Sequence, residues 1–245
     1  MLRLVIFLLC TFPAFGQAAL EDISSLIEKK QYLMAKEQAE ELVVSYPENA
    51  KLYELLGDVY SHLKDWDKAI DVYENLVALD PYSAAYHYKY GGALGMKAQS
   101  VSKLRALVII GDVETAFLKA AKLDSNHIDA RWALVYYYLH VPGLVGGSTT
   151  KALVYAKELL ALSPVDGHLA LGQVYGYKKD FKNAETHYKQ AVAVGGSKTC
   201  YTHLANLYVT FKKYPLAIDT LQEAYNKLGD SHFLHRISEV KAKMD

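Results

Sequence analysis

The chain has 245 residues, 51% of them apolar and 22% charged, a balance that supports a packed core and argues against a disordered segment. Lys plus Arg equals Asp plus Glu at 27 each, so no basic field points to nucleic acid and no acidic tail to a cation buffer. The length suits one large domain or an extended repeat array.

The first element in chain order is the stretch MLRLVIFLLCTFPAFG. It has one basic residue, Arg3, then an apolar run from Leu4 to Phe12, then small residues around Ala14-Phe15-Gly16. That order is the signature of a secretory leader cut after Gly16. The run is far short of the roughly 20 apolar residues that span a bilayer, so no transmembrane segment is expected. Cleavage removes Cys10 and leaves Cys200 as the one thiol, so the mature chain has no internal disulfide. These residues predict export, with the periplasm as the destination.

From Gln17 onward the chain repeats. Ala35 recurs as Ala69 and Pro47 as Pro81, both 34 residues on. The texts YELLGDVYSHLKDWDKAIDVYENLVALDP from Tyr53, HLALGQVYGYKKDFKNAETHYKQAVAVGG from His168 and YTHLANLYVTFKKYPLAIDTLQEAYNKLG from Tyr201 share one pattern. Each has Leu-Gly or Leu-Ala, a Tyr three residues later and an Ala nine after that. This pattern resembles the tetratricopeptide repeat, a helix-turn-helix unit of about 34 residues. The resemblance implies an all-α, right-handed superhelical solenoid of helix pairs with a C-terminal capping helix.

The pairs are expected at 18–47, 50–81, 84–125, 128–164, 165–196 and 198–229, with the capping helix over 230–244 and one repeat domain over 17–245. Gly57, Gly91, Gly172 and Ala205 fall in a slot where a larger side chain would hold crossing helices apart. Ala69, Ala152, Ala184 and Ala217 let the second helix of each pair approach the first, and Tyr60, Tyr138, Tyr175 and Tyr208 fill the space beside. Phe233, Leu234, Ile237 and Val240 give the last helix one apolar side.

Two stretches depart from the period. Between Gly91 and Phe117 lie about ten extra residues, including the apolar run Ala106 to Ile110 that ends at Gly111-Asp112. They read either as a lengthened second helix or an added helical turn packed on a neighbouring repeat, or as an edge that docks a partner or a second copy of the chain.

The other departure is HVPGLVGGSTTKAL, residues 140–153. A Walker-type phosphate cradle needs Gly-Lys followed by Ser or Thr after a buried strand. Here Lys151 follows Thr150 and the preceding element is helical. The stretch therefore reads as a turn inside one repeat, with glycines at 143, 146 and 147 easing the backbone and Ser148 or Thr149 capping the next helix. A PGxxGGS insertion of this type is similar to one in a bacterial subset of exported tetratricopeptide proteins.

No residue set assembles a nucleophile, a base and an oxyanion donor, so no enzyme and no cofactor is expected. Nine histidines invite a metal reading, but His232 and His235 find only Glu239 at helical spacing, and no metal site is assigned. The resemblance implies instead a surface lined by the inner helices. Carried onto this chain, its positions are Glu54, Asp58 and His62; Tyr88; Trp132, Tyr136 and His140; Gln173 and Tyr177; Thr202 and Asn206. A Lys/Arg-Asn clamp for acidic chain ends, known in a family subset, is missing, since its slots hold Glu54, Asp58, Lys89 and Ala133.

Tyr88, Trp132, Tyr136, His140, Gln173, Tyr177 and Asn206 form the expected binding set, because aromatic anchors and amides suit a docked peptide. Trp132 and Tyr136 have a second reading, sealing the 140–150 loop. The function expected is a non-enzymatic exported scaffold for another envelope protein or peptide. The alternative is a small-molecule or glycan binder using that loop, and self-association through Ala106–Ile110 is a further expectation.

Overall fold

The computed structural model describes residues 12–244, and the expected leader lies outside them up to residue 11. Thirteen α-helices, one short 3-10 turn and no strand are present among the described residues. The all-α class expected from the sequence, with helix pairs and a C-terminal closing helix, is the one the chain adopts. The helices divide into two compact units, one ending at Ser125 and the other starting at Asn126.

The first unit holds α1 (Phe12–Glu28), α2 (Tyr32–Ser45), α3 (Ala50–His62), α4 (Trp66–Leu79), α5 (Ala84–Ser100) and α6 (Lys103–Leu123). Each helix packs on the next, and its core includes Ile23, Ala35, Leu52, Leu56, Val59, Ala69, Tyr73 and Leu76. The second unit holds α7 (Ile128–His140), α8 (Thr149–Leu162), α9 (Pro164–Tyr177), α10 (Phe181–Gly195), α11 (Lys198–Thr210), α12 (Tyr214–Leu228) and α13 (His232–Lys241). Here α9 also touches both α7 and α11, so the first helices of successive pairs form one face. Phe233, Ile237 and Val240 of α13 are buried against α12, closing the end of the stack.

Short polar residues start the helices. Asn49, Asp65, Ser83, Ser148, Ser163, Asp180 and Ser197 each accept a backbone N–H from inside the helix that follows. Each such cap contributes about 1 kcal/mol by satisfying a donor the helix cannot pair internally.

Packing within a pair depends on the small-residue slot. A Cβ built on Gly57 would lie 2.3 Å from the Tyr73 ring, and one on Gly172 would lie 2.6 Å from the Tyr188 ring. The facing alanines Ala69, Ala152, Ala184 and Ala217 are all fully buried. Tyr60 and Tyr208 reach to the preceding pair, donating their hydroxyls to Glu40 and, at 2.7 Å, to Glu185. Burial, and then the facing carboxylate, pushes both phenols well above the ordinary tyrosine range.

The long repeat departs from expectation in one respect. Its extra residues are shared between α5, at 17 residues, and α6, at 21, rather than lengthening the second helix alone. α6 continues through Gly111 and Asp112, because Val113, Ala116, Phe117 and Ala120 carry its buried face onward.

Four hairpin turns share a feature with no glycine behind it. Lys30, Lys64, Lys179 and Lys212 all take a left-handed backbone, with φ between 56° and 60°. The residue after the turn closes it, as when Asp65 N–H donates to the Tyr60 carbonyl at 2.9 Å and Lys213 N–H to that of Tyr208 at 2.8 Å. A side chain in that region costs roughly 1–2 kcal/mol, against roughly 0.5–1 kcal/mol for the extra freedom of an unfolded glycine. Lys64 and Lys179 are exposed. Lys64→Gly and Lys179→Gly should therefore each stabilise the chain by about 0.5–1 kcal/mol in chemical denaturation. A loss of stability in both would contradict this account of the turns.

Candidate functional site

The inner-helix face of the second unit gathers three of the seven expected residues. Tyr136 and His140, one turn apart on α7, have ring centroids 4.1 Å apart. The His140 ring meets Tyr177 of α9 edge-on at 6.1 Å. Tyr136 is 50% exposed and Tyr177 54%, so two large rings face solvent where core tyrosines such as Tyr138 do not. Burial lowers the His140 pKa below its ordinary value, so the row carries no charge at neutral pH. Gln173 is half-buried one turn before Tyr177 on α9.

The remaining expected residues are committed elsewhere. The Trp132 indole N–H donates to Asp166 at 2.8 Å, and its ring packs half-buried on the core. That bond ties α7 to the start of α9, a positioning contact. The Asn206 carbonyl accepts from Arg236 of α13 at 2.7 Å, so the closing helix reaches this face. Tyr88 belongs to the first unit, half-buried on α5 with its ring 5.9 Å from Phe117.

In the first unit the acidic positions are satisfied internally. Lys89 reaches both Asp58 oxygens at 2.5 and 2.7 Å and Glu54 at 3.2 Å, Lys51 binds Glu54 at 2.8 Å, and the Tyr73 hydroxyl donates to Asp58 at 2.7 Å. Burial pushes the Glu54 carboxyl up, but Lys51 and Lys89 together outweigh it and hold it below the usual range. Charges paired this way lock neighbouring helices and leave little for a ligand.

The 140–150 stretch joins helix to helix, not strand to helix. A 3-10 turn covers Gly143–Val145, Gly146 has φ 114°, and a Cβ on Gly147 would sit 1.7 Å from the Val141 carbonyl oxygen. Gly143, by contrast, stands in open space, so of the three glycines only the latter two are required. The amides of Val145, Gly146, Gly147 and Ser148 all donate to carbonyls within the turn or to Tyr138. The Lys151 ammonium lies 4.9 Å over the Tyr138 ring. A phosphate cradle needs amides directed at the ligand, and here those of the turn are spent on carbonyls of the chain itself.

Two histidines that sequence reasoning did not join meet across the fifth pair. His168 Nδ1 and His187 Nδ1 are 3.1 Å apart, so one ring donates while the other accepts, and Tyr175 stacks on His187. Burial holds both imidazoles, and that of His203, below their ordinary pKa. At the other end of the unit, Glu239 pairs with both His235 and Arg236 at 3.2 Å. No group of three metal-binding side chains occurs among the described residues. The signal for Asp166 was present in the sequence: it stands 34 residues after Trp132, one repeat period.

Comparison with known proteins places this geometry. Family models described as tetratricopeptide repeat match residues 24–84 and 165–194, so the chain carries tetratricopeptide repeats. It is 32% identical over 104 residues to Superkiller complex protein 3 of Mus musculus, a match covering 42% of this chain and 6% of that protein. Among solved structures it is similar to a tetratricopeptide repeat protein from Parabacteroides merdae, with TM-score 0.68 and 12% identity over 93% of this chain and 86% of the other. It is also similar to PilW, a widely conserved type IV pilus biogenesis factor, with TM-score 0.67 and 16% identity over 91% and 98%. Pseudomonas aeruginosa pilF gives 0.61 and 16% over 93% and 96%. At these identities the likeness is one of fold.

The histidine environments set a pH dependence. His140, His168, His187 and His203 all have folded pKa values depressed from 6.5, so the unfolded chain takes up protons first as pH falls. Stability should be full above that value and decline as pH drops below it, before the carboxylates titrate. Thermal midpoints measured from about pH 7.5 to about pH 5.5 should fall, and less steeply in a His168→Asn, His187→Asn double variant. A flat profile, or one unchanged in the variant, would contradict this.

Proposed function

We propose that the chain is an exported, non-enzymatic scaffold that holds an extended segment or helix of another envelope protein on the inner-helix face of its second unit. The observation that carries this reading is the exposed, uncharged row of Tyr136, His140 and Tyr177. Rings in this setting give large contact area at small entropic cost, and a neutral imidazole between them both donates and accepts hydrogen bonds. Gln173 and the Asn206 amide nitrogen add polar groups suited to a peptide backbone.

The leader pattern of residues 1–16 supports export and a periplasmic setting. The PGxxGGS turn resembles that of exported bacterial relatives, and likeness of fold to a pilus biogenesis factor fits an envelope assembly role. No helix among the described residues is long and apolar enough to cross a membrane.

A photo-crosslinking amino acid at Tyr136 or Tyr177, in intact cells, tests the reading. Adducts to a defined partner should form from these positions and not from Val154, an equally exposed residue of α8. In a Tyr136→Ala, Tyr177→Ala double variant, recovery of that partner should fall by about tenfold. Equal crosslinking from Val154, or unchanged recovery, would remove this face from the account. Trp132→Ala is a poor probe, because it also breaks the bond to Asp166 that positions α9.

A further inference from the structure

The first half of α6 carries an apolar stripe on its outward side. Leu104, Leu107, Val108 and Gly111 follow the i, i+3, i+4, i+7 spacing of one helix face. Leu104 is 79% exposed, Leu107 49% and Val108 80%, while Val113, Ala116, Phe117 and Ala120 bury the opposite side of the same helix. A Cβ on Gly111 would meet nothing within 4 Å, so this point admits the close approach of another helix. Three large aliphatic side chains grouped on one exposed helix face are a docking feature rather than scattered surface residues.

The charges beside the stripe identify the occupant. Helical spacing places Lys103 and Glu114 along one flank, and Arg105 and Asp112 along the other, with the basic member always nearer the helix start. Around a two-fold axis perpendicular to the helix, two copies of it run antiparallel, and each flank faces the same flank of the second copy. The register that lays Leu104 over Gly111 and Leu107 over Val108 then sets Arg105 beside the second copy's Asp112. It sets Lys103 beside the second copy's Glu114, and both contacts occur twice. A parallel pairing would instead oppose like charges along both flanks.

We infer that this face of α6 binds a second copy of the chain, antiparallel, in a weak homodimer separate from the inner-helix site. One helix pair in contact over eight residues buries less than the roughly 1,200 Å² of a standard stable interface, so association belongs to the weak class.

Sedimentation velocity of the full chain, from about 10 to about 500 μM, reads this directly. The wild type should shift from monomer toward dimer across that range, and Val108→Glu should stay monomeric throughout. Arg105→Glu and Asp112→Arg should each weaken association by about tenfold, and the two together should restore it, because the swapped charges again face opposite partners. All three substituted side chains lie on exposed positions, and thermal unfolding of each variant confirms that the fold is retained. A wild type that remains monomeric to the highest concentration overturns the inference and gives the face to another occupant. A dimer indifferent to Val108→Glu, or a charge swap that fails to restore association, overturns it equally.

Discussion

The ring of Tyr73 lies so close over Gly57 that no side chain fits beneath it, and Tyr188 covers Gly172 in the same way. This nesting of a broad ring on a bare backbone sets how closely two helices of a pair approach. The fully buried alanines Ala69 and Ala184 extend the close approach along the pair, and the tyrosines at 60 and 208 bind carboxylates of the pair before. Interiors packed this tightly respond to a single added methyl group, because neither backbone can withdraw without disturbing its next neighbour. Stability accrues pair by pair, and the aromatic face of α7 and α9 is held only as well as the pairs beneath it.

Much of this was legible in the residues. Gly57 and Gly172, with Tyr and Ala at fixed distances, marked the contact between helices, and Ser148 marked the start of α8. Less legible was the left-handed turn. Lys30, Lys64, Lys179 and Lys212 occupy a conformation usually signalled by glycine, and only the bond from the following residue back to the first helix imposes it. Nor did the apolar run that ends at Gly111 show how far α6 extends, since Val113, Ala116, Phe117 and Ala120 continue its buried face beyond that point.

The binding face divides along the same line. Inner-helix spacing brought Tyr136, His140 and Tyr177 into consideration, and they do form one row. Spacing cannot tell which side chains are already engaged. Trp132 is held by Asp166 and Asn206 by Arg236, partners 34 and 30 residues away whose approach depends on how neighbouring pairs stack. The His168–His187 contact likewise joins two helices of one pair and has no short motif to reveal it.

The dependence of the fold on ring-over-glycine nesting is tested most directly by a double-mutant cycle at Gly172 and Tyr188. The account predicts that Gly172→Ala costs about 1–3 kcal/mol of unfolding free energy in the wild-type background and far less when Tyr188 is replaced by Leu, whose smaller side chain leaves room for the new methyl group. An equal cost in both backgrounds would show that the ring does not set the helix approach, and would contradict the account at its base.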